Sequence, residues 1–210
     1  QRTQRRAFRD GVNELVMPHA DGWDRDERIP PEAIAALACR GWLGAGIPKE
    51  HGGLGLDFVT QGLLFEEIGR GSASLLSLFA VHGMATQAIL KWGSDEQQRR
   101  WLPRLAAGET IGAFALTEPD IGSDARSIAC AAEPAGEGWR LSGAKKWISC
   151  AQIAGLFVVV GVSADKPTAF LVERGAPGFS TKPISGMLGF RSAMLAECEF
   201  CDCLVPASGL

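Results

Sequence analysis

Apolar positions along this chain change their spacing once. Up to about residue 110 they recur every three or four residues, and this rhythm predicts helices over 7–20 (AFRDGVNELVMPHA), 31–41 (PEAIAALACRG), 56–71 (LDFVTQGLLFEEIGRG), 72–93 (SASLLSLFAVHGMATQAILKWG) and 94–109 (SDEQQRRWLPRLAAGE). The punctuation agrees: Pro31 suits a first helical position, Ser72 and Ser94 suit N-caps, and Gly41, Gly71 and Gly93 stand where helices should stop. Between the second and third helices, 44–56 (GAGIPKEHGGLGL) holds too much glycine and proline for regular structure and is expected to be a loop. After Gly112 the period falls to two. GAFALT (112–117), SIACAAE (127–133), GWRLSGAKKWIS (138–149), LFVVVGV (156–162), TAFLVE (168–173), GFSTKPI (178–184) and LAECEFCDCLV (195–205) read as short strands joined by turns. The expected architecture is α+β: an all-helical domain over 1–112, then a small antiparallel, barrel-like β domain over 113–210. Many functions are built on that order, so fold class alone selects none.

Composition narrows the class. With 210 residues the chain can bury a substantial core, and 46% hydrophobic residues, 21% charged residues and a formal net charge of -3 describe an ordinary soluble globular protein. No basic surface argues for nucleic acid. The longest apolar runs, such as LFVVVGV, fall far short of the roughly 20 residues of a membrane-spanning helix, so no span is expected. The basic opening, QRTQRRAFRD, leads into no apolar signal segment, and the chain is expected to start inside a longer product and to be cytoplasmic.

Cys198, Cys201 and Cys203 crowd into CEFCDC, where the C-x-x-C spacing raises the question of a metal. If this segment is a regular strand, Cys198 and Cys201 point to opposite faces and only Cys201 and Cys203 share one. His19, His51 and His82 are remote and carry no ligand spacing of their own. Packing is the expected role of these thiols, with no metal site. Scattered cysteines without a secretory signal fit a reducing compartment.

The segment FALTEPDIGSDA (114–125) starts as a buried strand and breaks at Pro119, Gly122 and Ser123, so a rigid element delivers a polar loop, the usual place for binding chemistry. Taken singly, its residues have plain readings. Thr117 and Ser123 could satisfy local turns, and a lone tryptophan such as Trp147 is more often core.

Order changes that balance. IPKEHGGLGL (47–56), FALTEPDIGSDA, LSGAKKWIS (141–149) and MLGFRSAMLAECEFCDCLVP (187–206) together resemble the acyl-CoA dehydrogenase flavoprotein family over essentially the whole chain. The resemblance implies FAD as cofactor. It assigns flavin contacts to Phe114, Leu116, Thr117, Gly122 and Ser123 in the first segment and to Trp147, Ile148 and Ser149 in the second. In this reading the main chain of 114–123 follows the flavin edge and Thr117 offers a hydroxyl to the ring. Gly122 permits close approach, and Ser123 reaches the pyrophosphate or the substrate's pantetheine arm. Trp147 is the aromatic wall and Ser149, where the family often has threonine, sits near N5. Cys150 stands where asparagine is common, and Asp120 and Ile121 replace smaller residues. Glu118 and Asp124 are expected to fix the loop, and Arg191 with the preceding Gly189–Phe190 pair to organise the return strand.

The reaction implied is α,β-dehydrogenation of an acyl thioester, with electrons passed to an acceptor such as an electron-transferring flavoprotein. In the family the catalytic carboxylate comes from a C-terminal helical bundle, and no helical pattern follows Cys203. No catalytic residue is therefore assigned here, and the chain is expected to act as a homo-oligomer or with a separate C-terminal helical subunit. Alternatives are an acyl-carrier-protein-linked dehydrogenase, a flavin-dependent hydroxylase of the same fold, or a noncatalytic flavin-binding or partner-docking module.

Overall fold

The computed structural model describes residues 2–209; residues 1 and 210, the outer limits of the two expected domains, lie outside the described residues. Helices come first: α1 (Arg2–Leu15), α2 (Ala20–Arg25), α3 (Pro31–Cys39), α4 (Phe58–Gly71), α5 (Ala73–Trp92) and α6 (Asp95–Ala106). The strands follow: β1 (Gly112–Ala115), β2 (Ala131–Ala135), β3 (Gly138–Ile148), β4 (Leu156–Ser163), β5 (Lys166–Glu173), β6 (Phe179–Pro183) and β7 (Ala196–Val205). Contacts gather into two compact units, residues 1–110 with 185–194 and residues 111–184 with 195–210. The segment 185–194, left in the β domain by the strand pattern, thus belongs with the helices. Arg191 holds it there, donating from its backbone N and its Nε to the Asp24 carboxylate of α2 at 3.1 and 3.0 Å.

Local chemistry starts α4, α5 and α6 close to where the sequence expects them, whereas α1 runs from Arg2 to Leu15, five residues earlier than the expected 7–20. Asp57 caps α4 by accepting from Thr60 N, and Ser72 caps α5 by accepting from Leu75 N. Ser94 and Gln97 form a reciprocal capping box at α6. Pro31 is the first residue of α3, and Gly41 follows its end in the left-handed region at φ 73°. The unexpected helix, α2, has only six residues and buries only Trp23.

The core of the helical unit centres on α5, which buries Leu75, Leu78, Phe79, Ala85 and Ile89. By length and composition this helix is long and apolar enough to cross a membrane, although Ser77, His82 and Gln87 interrupt its apolar run. Here 44% of the stretch is buried inside the protein.

The sheet is curled and mixed, not purely antiparallel. Its order is β1-β4-β2-β3-β7-β6, with β5 paired to β4. One edge of β4 carries β5, antiparallel. The other carries β1 in parallel over Leu156–Val159 and then β2 in parallel through the Ala131–Val162 pair. Loop 116–130 spans the interval between β1 and β2. One face of the sheet encloses an apolar core that includes Leu141, Phe157, Val159, Phe170 and Phe200.

A bulge in β7 corrects the cysteine geometry. Leu141 pairs with Cys203 but Gly143 with Phe200, so β7 contains one extra residue at this point, and Asp202 takes φ 50°. The bulge breaks the alternation, leaving Cys198 and Cys203 together in the core while Cys201 is exposed. Burial pushes the Cys198 thiol up to about 12 and the Cys203 thiol up to about 11, as expected of packing groups.

Candidate functional site

The β1 strand alternates sharply. Ala113 and Ala115 are fully buried in the core, which leaves the half-buried Phe114 and Leu116 in the opposite phase. The chain then leaves the sheet at Thr117. Glu118 N donates to Ile121 O at 2.9 Å, Ile121 N returns a bond to Glu118 O at 3.3 Å, and the tip of this turn carries Pro119 and Asp120, both exposed. Gly122 and Ser123 follow, also exposed, and beyond its immediate chain neighbours no atom lies within 4 Å of where a Gly122 Cβ would be. Ser127 Oγ donates to the Asp124 carboxylate, closing the far end of the loop.

Beneath the loop sits an ion pair that the sequence reading did not anticipate. Lys145 is 0% exposed, and its Nζ donates to Glu118 Oε1 at 2.8 Å and to the Leu116 carbonyl at 2.9 Å. The Glu118 carboxylate also accepts from Ala129 N and Cys130 N, both at 2.8 Å. Burial alone would raise this carboxyl's affinity for a proton; the Lys145 bond and the two amides outweigh it and hold the group below the usual carboxylate range. Glu118 therefore fixes the loop, as expected from the sequence. One signal for Lys145 was present: it lies four residues from Leu141 on the same strand, in phase with the core.

Next to Lys145, β3 carries its own bulge. Lys145 pairs with Cys198 and Ile148 with Ala196, so three steps on β3 match two on β7. Trp147 occupies the extra space in the left-handed region at φ 61°, unusual for a bulky residue, and its side chain is left 50% exposed. Lys146 Nζ lies 5.4 Å from the Trp147 ring centroid and 2.9 Å from Glu197 Oε1. Ile148 packs its side chain into the core at 2% exposure, which leaves only its main chain for a ligand. Ser149 is half-buried, followed by Cys150, whose thiol burial pushes up to about 12.

The two segments meet directly. Lys146 N donates to Thr117 O at 2.9 Å, so the residue before the exposed indole is bonded to the residue carrying the loop's first hydroxyl. This bond brings Thr117, just beyond the end of β1, beside the β3 bulge that carries Trp147, with Ser149 two residues beyond the indole and Gly122 and Ser123 further out on the exposed part of the loop.

Residues 1–109 match the model of the acyl-CoA dehydrogenase N-terminal domain, and residues 113–203 match that of the acyl-CoA dehydrogenase middle domain. A relative from Anaerotignum propionicum, acryloyl-CoA reductase (NADH), is 37% identical over 200 residues, which cover 92% of this chain and 51% of the relative. Among solved structures, glutaryl-CoA dehydrogenase from Mycobacterium smegmatis in complex with FADH2 superimposes with a TM-score of 0.95 at 32% identity, covering 99% of this chain and 54% of that one. A structure described as the electron transferring flavoprotein of Acidaminococcus fermentans gives a TM-score of 0.93 at 28% identity, with 99% and 57% covered. The chain thus spans about half the length of these proteins. With both domain models matched in order across the helices and the sheet, the chain belongs to the acyl-CoA dehydrogenase family.

Proposed function

We propose that this chain provides the flavin-binding part of an FAD-dependent acyl-CoA dehydrogenase, which removes hydrogens from the α and β carbons of an acyl thioester. The carrying observation is the half-exposed Trp147 ring, held in a left-handed bulge and joined through Lys146 N to Thr117. These residues suit a flavin. A large apolar ring system needs an aromatic wall, and its polar edge needs hydroxyl and amide donors. Trp147 offers the wall. Thr117 offers a hydroxyl that makes no hydrogen bond among the described residues, and the open side of Gly122 gives backbone access.

Bound FAD would supply the acceptor for the hydride leaving the β carbon. The chain's own residues bind and orient: Trp147 covers ring surface and displaces water from it, Thr117 places a donor at the ring, and Ser123 reaches a phosphate or the pantetheine arm. The base that takes the α proton lies outside these 210 residues in this reading. Glu118 is unsuited to that task, since Lys145 and two backbone amides already occupy its oxygens and hold it ionised. An electron-transferring flavoprotein is the acceptor we assign, in keeping with the family.

Titrating the purified protein with FAD tests this reading. Quenching of flavin fluorescence and a perturbed visible spectrum are expected, with weaker retention in Trp147→Ala. A wild-type protein that leaves the spectrum of excess FAD unchanged would overturn the proposal.

A further inference from the structure

Among the described residues, the Lys145–Glu118 pair finds its partners in two segments of the chain. Lys145 bonds to Leu116 and Glu118 at the start of loop 116–130, and Glu118 bonds to Ala129 and Cys130 at its end. One carboxylate and one ammonium therefore draw together both ends of the loop that spans the gap between β1 and β2. Lys145 is also the last residue paired in β3 before the bulge that displays Trp147.

A bulged strand has a register problem. Shifting a strand by one residue exchanges its faces, and near a bulge the competing pairings differ by few hydrogen bonds. An apolar side chain at 145 would lose only its own burial on such a slip. The buried ammonium fixes the register more sharply, because its acceptors exist on one side only and an unmatched charge in the core is strongly penalised. The left-handed backbone at Trp147 adds a cost of its own that the surroundings must enforce.

We propose that Lys145 and Glu118 are positioning residues for the flavin site, locking the Thr117 loop to the Trp147 bulge in one register so that hydroxyl and indole are presented together. This rests on the flavin reading above, and deepens it. Neither residue needs to touch the cofactor. Their effect travels through the Lys146 N to Thr117 O bond, which joins the two presenting residues and closes only when β3 is in register.

The test compares wild type with Lys145→Met, Glu118→Gln and the double variant. Three quantities are measured: thermal midpoint, FAD dissociation constant, and hydrogen exchange at the Lys146, Ala129 and Cys130 amides without FAD. The single variant Lys145→Met leaves a buried carboxylate unmatched and is expected to lower the midpoint. The double variant removes both charges and is expected to recover much of that loss while still binding FAD on the order of tenfold more weakly and exchanging faster at Lys146. Should Lys145→Met fail to fold, Glu118→Gln, which keeps the shape and one acceptor oxygen, carries the same expectation. Stable variants with wild-type FAD affinity and an unchanged Lys146 exchange rate would overturn the inference and leave the flavin reading intact. No FAD binding by wild type would overturn both.

Discussion

Arg9 Nη2 of α1 lies 2.8 Å from Glu67 Oε1 of α4, and the carboxylate that joins the two helices is 1% exposed. Arg5 Nε at 3.1 Å and Arg70 Nε at 2.9 Å complete a ring of three guanidinium groups around it, each itself partly exposed. The position suits a charge: the arginine heads keep contact with water while the carboxylate is matched on both oxygens. Arg9's hydrogen bonds, helped by Arg70 and Arg5, hold the Glu67 carboxyl at about 2 against the upward push of burial.

Replacing that carboxylate tests whether it anchors α1. Glu67→Gln keeps the shape but leaves three cations facing a neutral amide, and is expected to cost about 2 kcal/mol in urea unfolding. A depressed folded-state value also sets the sign with pH. The stabilisation is complete above about 4.5, the ordinary value, and is lost as pH falls toward 2. Wild type should lose stability across that window more steeply than Glu67→Gln. Parallel curves for the two proteins would show that the ring contributes nothing.

His82 sets a separate window. It is 1% exposed in the middle of α5, and burial depresses its imidazole from 6.5 to about 4, opposed by a hydrogen bond with the Leu105 backbone. Between those limits the unfolded chain binds a proton that the folded one refuses, so stability should rise with pH from about 4 to about 6.5 and be flat above. His82→Gln, which cannot titrate, is expected to remove this slope. A slope that persists in the variant would assign it to other groups.

The elements most legible in the sequence are those whose causes are local. Ser72 and Ser94 act on amides three residues away, so their helices could be placed by reading forward. The short α2 gave no such cue, because its N-cap, His19, makes no side-chain cap and it buries a single residue. The β strands were visible by alternation, but the parallel pairing of β1 and β2 on one edge of β4 depends on contacts far apart in sequence. The same limit hid the extra residue near Asp202, since one inserted position inverts the faces of everything counted across it. At the site, Thr117 and Trp147 came from motif order. The pair beneath them did not, because a lysine reads as surface until a partner is known, and Glu118 stands 27 residues away.

The loop after α3 offers a sharper test of why glycines are present. It is knitted by Leu54 N to Gly44 O at 3.0 Å, Gly55 N to Ile47 O at 2.9 Å and Leu56 N to Ala45 O at 2.8 Å. Gly52 lies in the left-handed region at φ 81° with open space around it, whereas a Cβ on Gly53 would lie 2.0 Å from the Ile47 carbonyl oxygen. Gly52→Ala should therefore cost about 1 kcal/mol, the strain of one left-handed residue. Gly53→Ala should cost about 3 kcal/mol, since backbone must move to admit it. Urea midpoints for the two variants check the order, and equal losses would refute a steric role for Gly53.

Thr117 is where stability and function can be separated. Its main-chain carbonyl accepts from Lys146 N, while its hydroxyl makes no hydrogen bond among the described residues. Thr117→Val keeps the branched shape and the carbonyl bond to Lys146 N, and deletes only that hydroxyl. Because no protein partner loses a bond, the thermal midpoint should change little, by less than about 0.5 kcal/mol in stability. If Thr117 faces the flavin as proposed, negative charge grows at the ring's pyrimidine edge as hydride arrives, and losing the donor there should slow reduction of flavin bound to the complete protein by about tenfold. Stopped-flow absorbance under anaerobic conditions measures that step, and differential scanning calorimetry measures the other. Slow reduction with an unchanged midpoint is the expected pairing. The reverse pairing, unchanged reduction with a clear loss of thermal stability, would mean that the hydroxyl serves the fold and that the flavin edge finds its donor elsewhere.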